Sequence, residues 1–248
     1  MTSKIKILGL SLIAIVATSA LAASAAQAGS FDIGASPAVL TGHSELGTGQ
    51  VHVMTLTRTD GTKFDANCTT ASSEGTTTGQ AIDELTLTPT YGSSEAAPTG
   101  CTLFGQNAQV KVNGCKYTIT GTGQAARTAL LDIVGCTSLT PYIQFKSAIC
   151  EVRIPEQNGV GKNGLSHLVS LNLAGGKEIT LETTISGITV HQIGGSCPDK
   201  DGHKSTNGSL VGNTILKVFK PSSASQVTKH GHQYVETKCG EQVTLVAT

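Results

Sequence analysis

Tryptophan is absent, and phenylalanine and tyrosine together make up only 4% of the 248 residues. Modules that bind or cleave sugars ordinarily stack aromatic platforms on the sugar ring, so a carbohydrate role loses weight. Charge is equally sparse: 17 basic and 17 acidic side chains cancel to a net charge of zero. Such a balance gives no electrostatic footprint for nucleic acid or an anionic membrane surface. A long disordered chain needs high net charge and few apolar residues, whereas 38% of this chain is hydrophobic. The 29 glycines follow no three-residue period, which excludes collagen. What is abundant is threonine, with 34 residues or roughly one in seven, a β-branched type that fits pleated strands.

The first 28 residues read as an export signal. Lys4 and Lys6 form a short basic region, Ile7–Ala23 is apolar or small, and Ala26-Gln-Ala28 supplies an A-x-A cleavage site. A spanning helix wants about 20 strongly apolar residues, and here the last third thins into Ala and Ser. Cleavage after Ala28 would leave 220 residues with 15 basic and 17 acidic groups. No later segment is apolar enough to span a bilayer. The expectation is a secreted or cell-envelope protein whose residues 29–248 form a single β-rich domain.

Seven cysteines fall in that mature region: Cys68, Cys101, Cys115, Cys136, Cys150, Cys197 and Cys239. None belongs to a C-x-x-C pair, which argues against a zinc ribbon or a thioredoxin-like site. In an exported chain they imply disulfides. Thirteen residues separate Cys101 from Cys115, and thirteen separate Cys136 from Cys150. Each second cysteine opens a similar alternating run, Cys115-Lys-Tyr-Thr-Ile119 and Cys150-Glu-Val-Arg-Ile154. This 35-residue repeat suggests two stapled hairpins, Cys101–Cys115 and Cys136–Cys150. Cys68 is then matched with Cys197, leaving Cys239 unpaired and available for self-association.

Period-two apolar spacing predicts short strands at 51–57, 85–88, 168–173, 179–185, 188–190, 215–219 and 243–246. Asn-Gly and Gly-Gly pairs fall between them, and Asn-Gly readily takes the positive φ values of tight hairpin turns. Helical signals are nearly absent; 125–133 has room for one turn. Polar stretches at 69–80, 92–100 and 221–232 read as loops. The pattern implies an all-β, antiparallel sandwich or barrel-like architecture with disulfide-stapled hairpins. Lys111, Lys116, Lys146, Glu151 and Glu182 are read as outward-facing residues or as edge protection.

The Ala-rich signal, Thr88-Pro-Thr-Tyr91 ahead of Cys101-Thr-Leu-Phe-Gly, Val112-Asn-Gly-Cys-Lys-Tyr-Thr118 and Gly194-Gly-Ser-Cys-Pro198 form a recognisable combination. It resembles a group of secreted, cysteine-containing β-rich proteins of high-GC soil actinobacteria, over roughly residues 30–215. The resemblance implies export and disulfides, and no activity. The polar insertion between Tyr91 and Cys101 and the added Cys239 depart from that group's pattern.

Chemical signatures are few. No G-x-S-x-G elbow occurs, since Gly194-Gly-Ser-Cys-Pro198 carries Pro198 where glycine should sit. Asp199-Lys-Asp-Gly-His203 begins like a calcium loop but lacks the later acceptors and the closing Glu, so it reads as a polar turn. His230, His232 and Cys239 offer three metal-ligand types without a fourth. Asn67-Cys-Thr69 and Asn207-Gly-Ser209 match glycosylation acceptors and are read as turns. No metal, cofactor or catalytic residue is assigned. The expected role is a non-catalytic structural, adhesive or binding protein. An extracellular hydrolase or ligand-binding sandwich would instead gather two or more of Asp83, Glu84, Asp132, His167 and His191 in a cleft.

Overall fold

The computed structural model describes residues 30–44, 52–58, 60–92, 100–122, 128–157, 167–174, 176, 178–194, 196–199, 202–230 and 233–247, with side chains omitted at 167–174, 223–230, 233–240 and 247. The expected signal and its cleavage point lie outside these residues. No helix occurs among them.

The threonine-rich alternation produces nineteen strands among the described residues. The first seven are β1 (Phe31–Ile33), β2 (Ala38–His43), β3 (His52–Thr57), β4 (Lys63–Cys68), β5 (Ala71–Thr77), β6 (Ala81–Ile82) and β7 (Glu84–Tyr91). Then follow β8 (Cys101–Leu103), β9 (Gln106–Asn107), β10 (Gln109–Lys111), β11 (Lys116–Gly121), β12 (Thr128–Val134), β13 (Tyr142–Lys146) and β14 (Glu151–Pro155). The last five are β15 (His167–Ala174), β16 (Glu178–Ile193), β17 (His203–His230), β18 (Gln233–Val243) and β19 (Leu245–Ala247).

All registered pairs are antiparallel. A three-stranded sheet runs β19-β1-β6, and the rest join a sixteen-stranded sheet. That sheet is branched. Its spine is the β16–β17 pair, registered from Glu178↔Lys217 to Gln192↔His203. At one end β16 continues into β15, β12, β11, β7, β5 and β2, which pairs with β17; at the other, β16 meets β14 while β17 meets β3. Inward residues alternate as expected: Leu85, Leu87 and Tyr91 on β7, and Ala129, Leu131 and Ile133 on β12, are buried in one apolar core. Lys111, Lys116, Lys146 and Glu182 are exposed, while Glu151 is half-buried beside Arg153.

Several sequence readings change. The stretches at 179–185 and 188–190 are one strand, β16, bent where its register with β17 shifts around Ile188. The bend takes the Thr189 peptide groups out of the ladder, and Gln157 replaces the missing partners. Its Oε1 accepts from Thr189 N at 2.8 Å and its Nε2 donates to Thr189 O at 3.3 Å. The polar stretch 69–80 holds β5, a central strand between β2 and β7. Small side chains suit it there: a Cβ at Gly75 would lie 2.1 Å from Thr86 O. The one helical turn considered at 125–133 is instead strand β12 from Thr128 onward. The loop expected at 221–232 is β-paired backbone up to His230; Pro221, which lacks a ladder donor, coincides with a register shift there. Asn113 and Gly114 take the predicted positive φ values of 54° and 74°.

The three disulfides are Cys68–Cys101, Cys115–Cys136 and Cys150–Cys197. This corrects the expected pairs Cys101–Cys115, Cys136–Cys150 and Cys68–Cys197. The reason lies in strand partnership. The repeat implied that β10 folds back on β11, but β10 pairs with β13 while β11 pairs with β12. Cys115 and Cys136 therefore flank the open end of the β11–β12 hairpin. Cys68 and Cys101 face each other across β4 and β8, and Cys150 and Cys197 meet where β14 pairs with β16. The β13–β14 hairpin does form, but Cys136 lies outside it. The side chain of Cys239 lies outside the described residues.

The bridges span sequence separations of 33, 21 and 47 residues. Replacing both Cys150 and Cys197 by Ala is expected to lower stability by about 4 kcal/mol, and the Cys115/Cys136 double variant by about 3 kcal/mol, on the chain-entropy scale. Urea unfolding of the oxidised protein measures both, and non-reducing peptide mapping checks the three pairs.

Candidate functional site

The strand alternation that buries Met54 and Leu56 also turns His52, at the start of β3, toward the interior. Its Nε2 lies 2.8 Å from Ser44 Oγ, just past β2, and 3.3 Å from Thr214 Oγ1 on β17. The two hydroxyls are 3.4 Å apart. The residue keeps partial exposure, yet Nδ1 is sealed from solvent and has no hydrogen-bond partner among the described residues. Burial lowers the imidazole pKa to about 4, so the ring is neutral at neutral pH.

Two tyrosines complete the cluster. Tyr91 ends β7 and Tyr117 lies on β11, and their hydroxyl oxygens are 2.5 Å apart. Burial raises both hydroxyls, Tyr91 well above its ordinary range and Tyr117 to about 12, so the pair stays protonated. The Tyr91 ring stands edge-on to His52 at 5.7 Å between centroids and is tilted against Phe145 at 6.1 Å.

Two adjoining cavities open around these groups, with about 30 and 40 Å³ in which the centre of a water can move. Both are lined by His52, Tyr91, Tyr117, Leu131 and Leu210. The first adds hydroxyl groups, including buried Ser73 Oγ, which has no partner among the described residues. The second is apolar, with Met54, Phe145, Ile154 and Ile188. Among the described residues, no Asp, Glu, Lys or Arg lines either one.

A separate charged cluster forms at Asp199, which is only 8% exposed. Gln192 Nε2 donates to its Oδ2 at 2.9 Å, Arg58 Nε donates to Oδ1 at 3.3 Å, and His203 Nδ1 lies 3.2 Å from Oδ2. The segment read as a polar turn thus begins with a buried carboxylate that ties β16 and β17 to the end of β3. A buried charge is tolerated only when partners satisfy it, and the hydrogen bonds from Gln192 and Arg58 do so.

Among the described residues, none of the carboxylates and histidines named for a hydrolase lines either cavity. Asp83 and Glu84 are exposed, and Asp132 and His191 are half-buried on different strands. His191 has its pKa lowered by burial and by the nearby charges of Lys204 and Arg153. The side chain of His167 lies outside the described residues, as do those of His230, His232 and Cys239. Among the described residues no three His, Cys, Asp or Glu side chains are grouped to hold a metal. Sequence reasoning missed His52, Tyr91 and Tyr117 as a group, though a signal existed. His52 shares strand parity with Met54 and Leu56, Tyr91 with Leu85 and Leu87, and Tyr117 with Ile119.

Because the folded pKa of His52 is depressed, its unfolded form takes up a proton first as pH falls. Stability is therefore full above about pH 6.5 and declines until about pH 4, by up to about 3 kcal/mol from this residue. Urea midpoints measured from pH 7.5 to 4.5 should show that decline in the wild type, and His52→Gln should flatten it. At the second cluster, Asp199→Ala strands the buried Gln192 amide and should cost about 1–3 kcal/mol; Asp199→Asn should cost less in the same measurement.

The chain matches no family model, no curated protein and no solved structure.

Proposed function

We propose that this chain is an exported, non-catalytic β-protein of the cell surface or surrounding medium, with a structural or binding role. The observation that carries this reading is the set of three intramolecular disulfides, each joining neighbouring strands. Bridges of this kind persist in oxidising compartments and are rare where thiols are kept reduced. The basic, apolar and A-x-A features of residues 1–28 point the same way, as does the resemblance to secreted actinobacterial proteins. Adhesion or self-association through the surface is the finer form of the role.

A hydrolase is the second reading, and the Ser44–His52 contact at 2.8 Å favours it. Nucleophilic catalysis also requires an orienting group on the second imidazole nitrogen and a base that competes for the proton near neutral pH. His52 Nδ1 has no such partner among the described residues, and a pKa of about 4 makes it a weak base. The contact therefore supports packing better than turnover.

Two measurements separate the readings. Intact-mass analysis of protein recovered from culture medium should give a chain starting at residue 29 with six thiol hydrogens missing; a reduced, full-length cytoplasmic protein would overturn the proposal. A fluorophosphonate reagent should leave Ser44 unmodified. Labelling at Ser44 that disappears in His52→Ala would establish the hydrolase instead.

A further inference from the structure

We propose that the interior space against His52 binds a small neutral molecule joining an aromatic or aliphatic body to one hydroxyl group. Going beyond the proposed function, this assigns a ligand class to the cavities. Three features of the cluster carry it.

The first is an unused polar atom. His52 Nδ1 is sealed from solvent and unpartnered among the described residues, and it belongs to a residue that lines both cavities. Leaving such a group unsatisfied costs about 1–3 kcal/mol, and a ligand that satisfies it recovers that cost on binding. Nε2 is already occupied by Ser44 and Thr214. A hydroxyl both donates and accepts, so it suits Nδ1 in either tautomer of the ring.

The second feature is the absence of charge from the walls. The described lining has no carboxylate, ammonium or guanidinium, His52 is neutral, and the Tyr91–Tyr117 pair stays protonated. A charged ligand would enter without a counter-ion, which low-polarity surroundings penalise heavily. Met54, Phe145, Ile154 and Ile188 instead offer an apolar seat beside the imidazole.

Size is the third. At about 10–15 Å³ per water on this measure, the two adjoining cavities hold about five to seven waters. That is roughly the bulk of a six-membered ring with one substituent. Ser44, Ala71, Ser72 and Thr214, which line the first cavity, keep partial exposure and mark the side from which the space is reached. Sugars, nucleotides and fatty acids are too large or too polar.

Phenol is the probe, with toluene and benzoate as controls, titrated into the oxidised protein and followed by isothermal calorimetry and by the methyl resonances of Met54 and Leu210. Phenol should bind in the millimolar range or tighter and shift both resonances; toluene should bind more weakly and benzoate not at all. His52→Leu should weaken phenol by about tenfold, the equivalent of about 1.4 kcal/mol, and leave toluene within a few-fold. Leu210→Phe, which fills the shared wall, should abolish both. Circular dichroism of each variant confirms that it is folded before titration. No binding of phenol by wild type at 10 mM (~ a generous ceiling for a seven-atom ligand), equal binding of benzoate, or an unchanged phenol affinity in folded His52→Leu would each overturn the proposal. None of these results bears on export or on Ser44 labelling, so the two proposals fail separately.

Discussion

The β16–β17 ladder is the constraint on which the rest of the structure depends. It is the longest pairing among the described residues, from Glu178↔Lys217 to Gln192↔His203, and both ends of it branch. Strand β17 passes from β3 to β2 along its length, and β16 passes from β15 to β14. The register of this one ribbon therefore sets where the remaining strands begin. A one-residue slip would reverse inward and outward side chains on both strands, exposing Ile179, Leu181, Leu216 and Val218, all buried in the core. Gln157 and Asp199 protect the ribbon where its geometry is irregular. Gln157 caps the bend at Thr189, and Asp199 ties Gln192 to Arg58 and His203 near the ribbon's end.

The disulfides reinforce strand pairing already made by the backbone. Cys68 and Cys101 are register partners, Cys115 and Cys136 close the hairpin of β11 and β12, and Cys150 and Cys197 flank the β14–β16 junction. With so few aromatic side chains, the core relies on Leu, Ile and Val of modest volume. Covalent staples limit the unfolded ensemble in a way that a thin core cannot. The same shortage of large side chains leaves the space around His52, where the two tyrosines and Phe145 meet without filling the gap between the sheet branches.

Strand identity was largely legible because a two-residue period survives in single-sequence form. His52–Thr57, Glu84–Tyr91 and Glu151–Pro155 appear where the alternation placed them. Misreadings share a cause: composition stood in for environment. The Ser/Thr/Gly run of β5 resembled a loop, yet its small side chains are what a strand squeezed between β2 and β7 requires. The candidate site was legible only in fragments. Parity marks His52, Tyr91 and Tyr117 as inward-facing one at a time, but they lie on β3, β7 and β11, and no local pattern says that these strands share an interior.

By itself the sequence determined that this is an all-β, antiparallel, disulfide-containing chain, because alternation, turn residues and cysteine content are local properties. Which strand lies beside which was decided only in the tertiary structure. Two equal cysteine intervals pointed to hairpins Cys101–Cys115 and Cys136–Cys150, and the pairing moved one cysteine along because β11 found its partner in β12 and β10 found its own in β13. Pairing between strands is a contest among surfaces that look alike in sequence, and it is won by the arrangement that buries the most apolar faces at once.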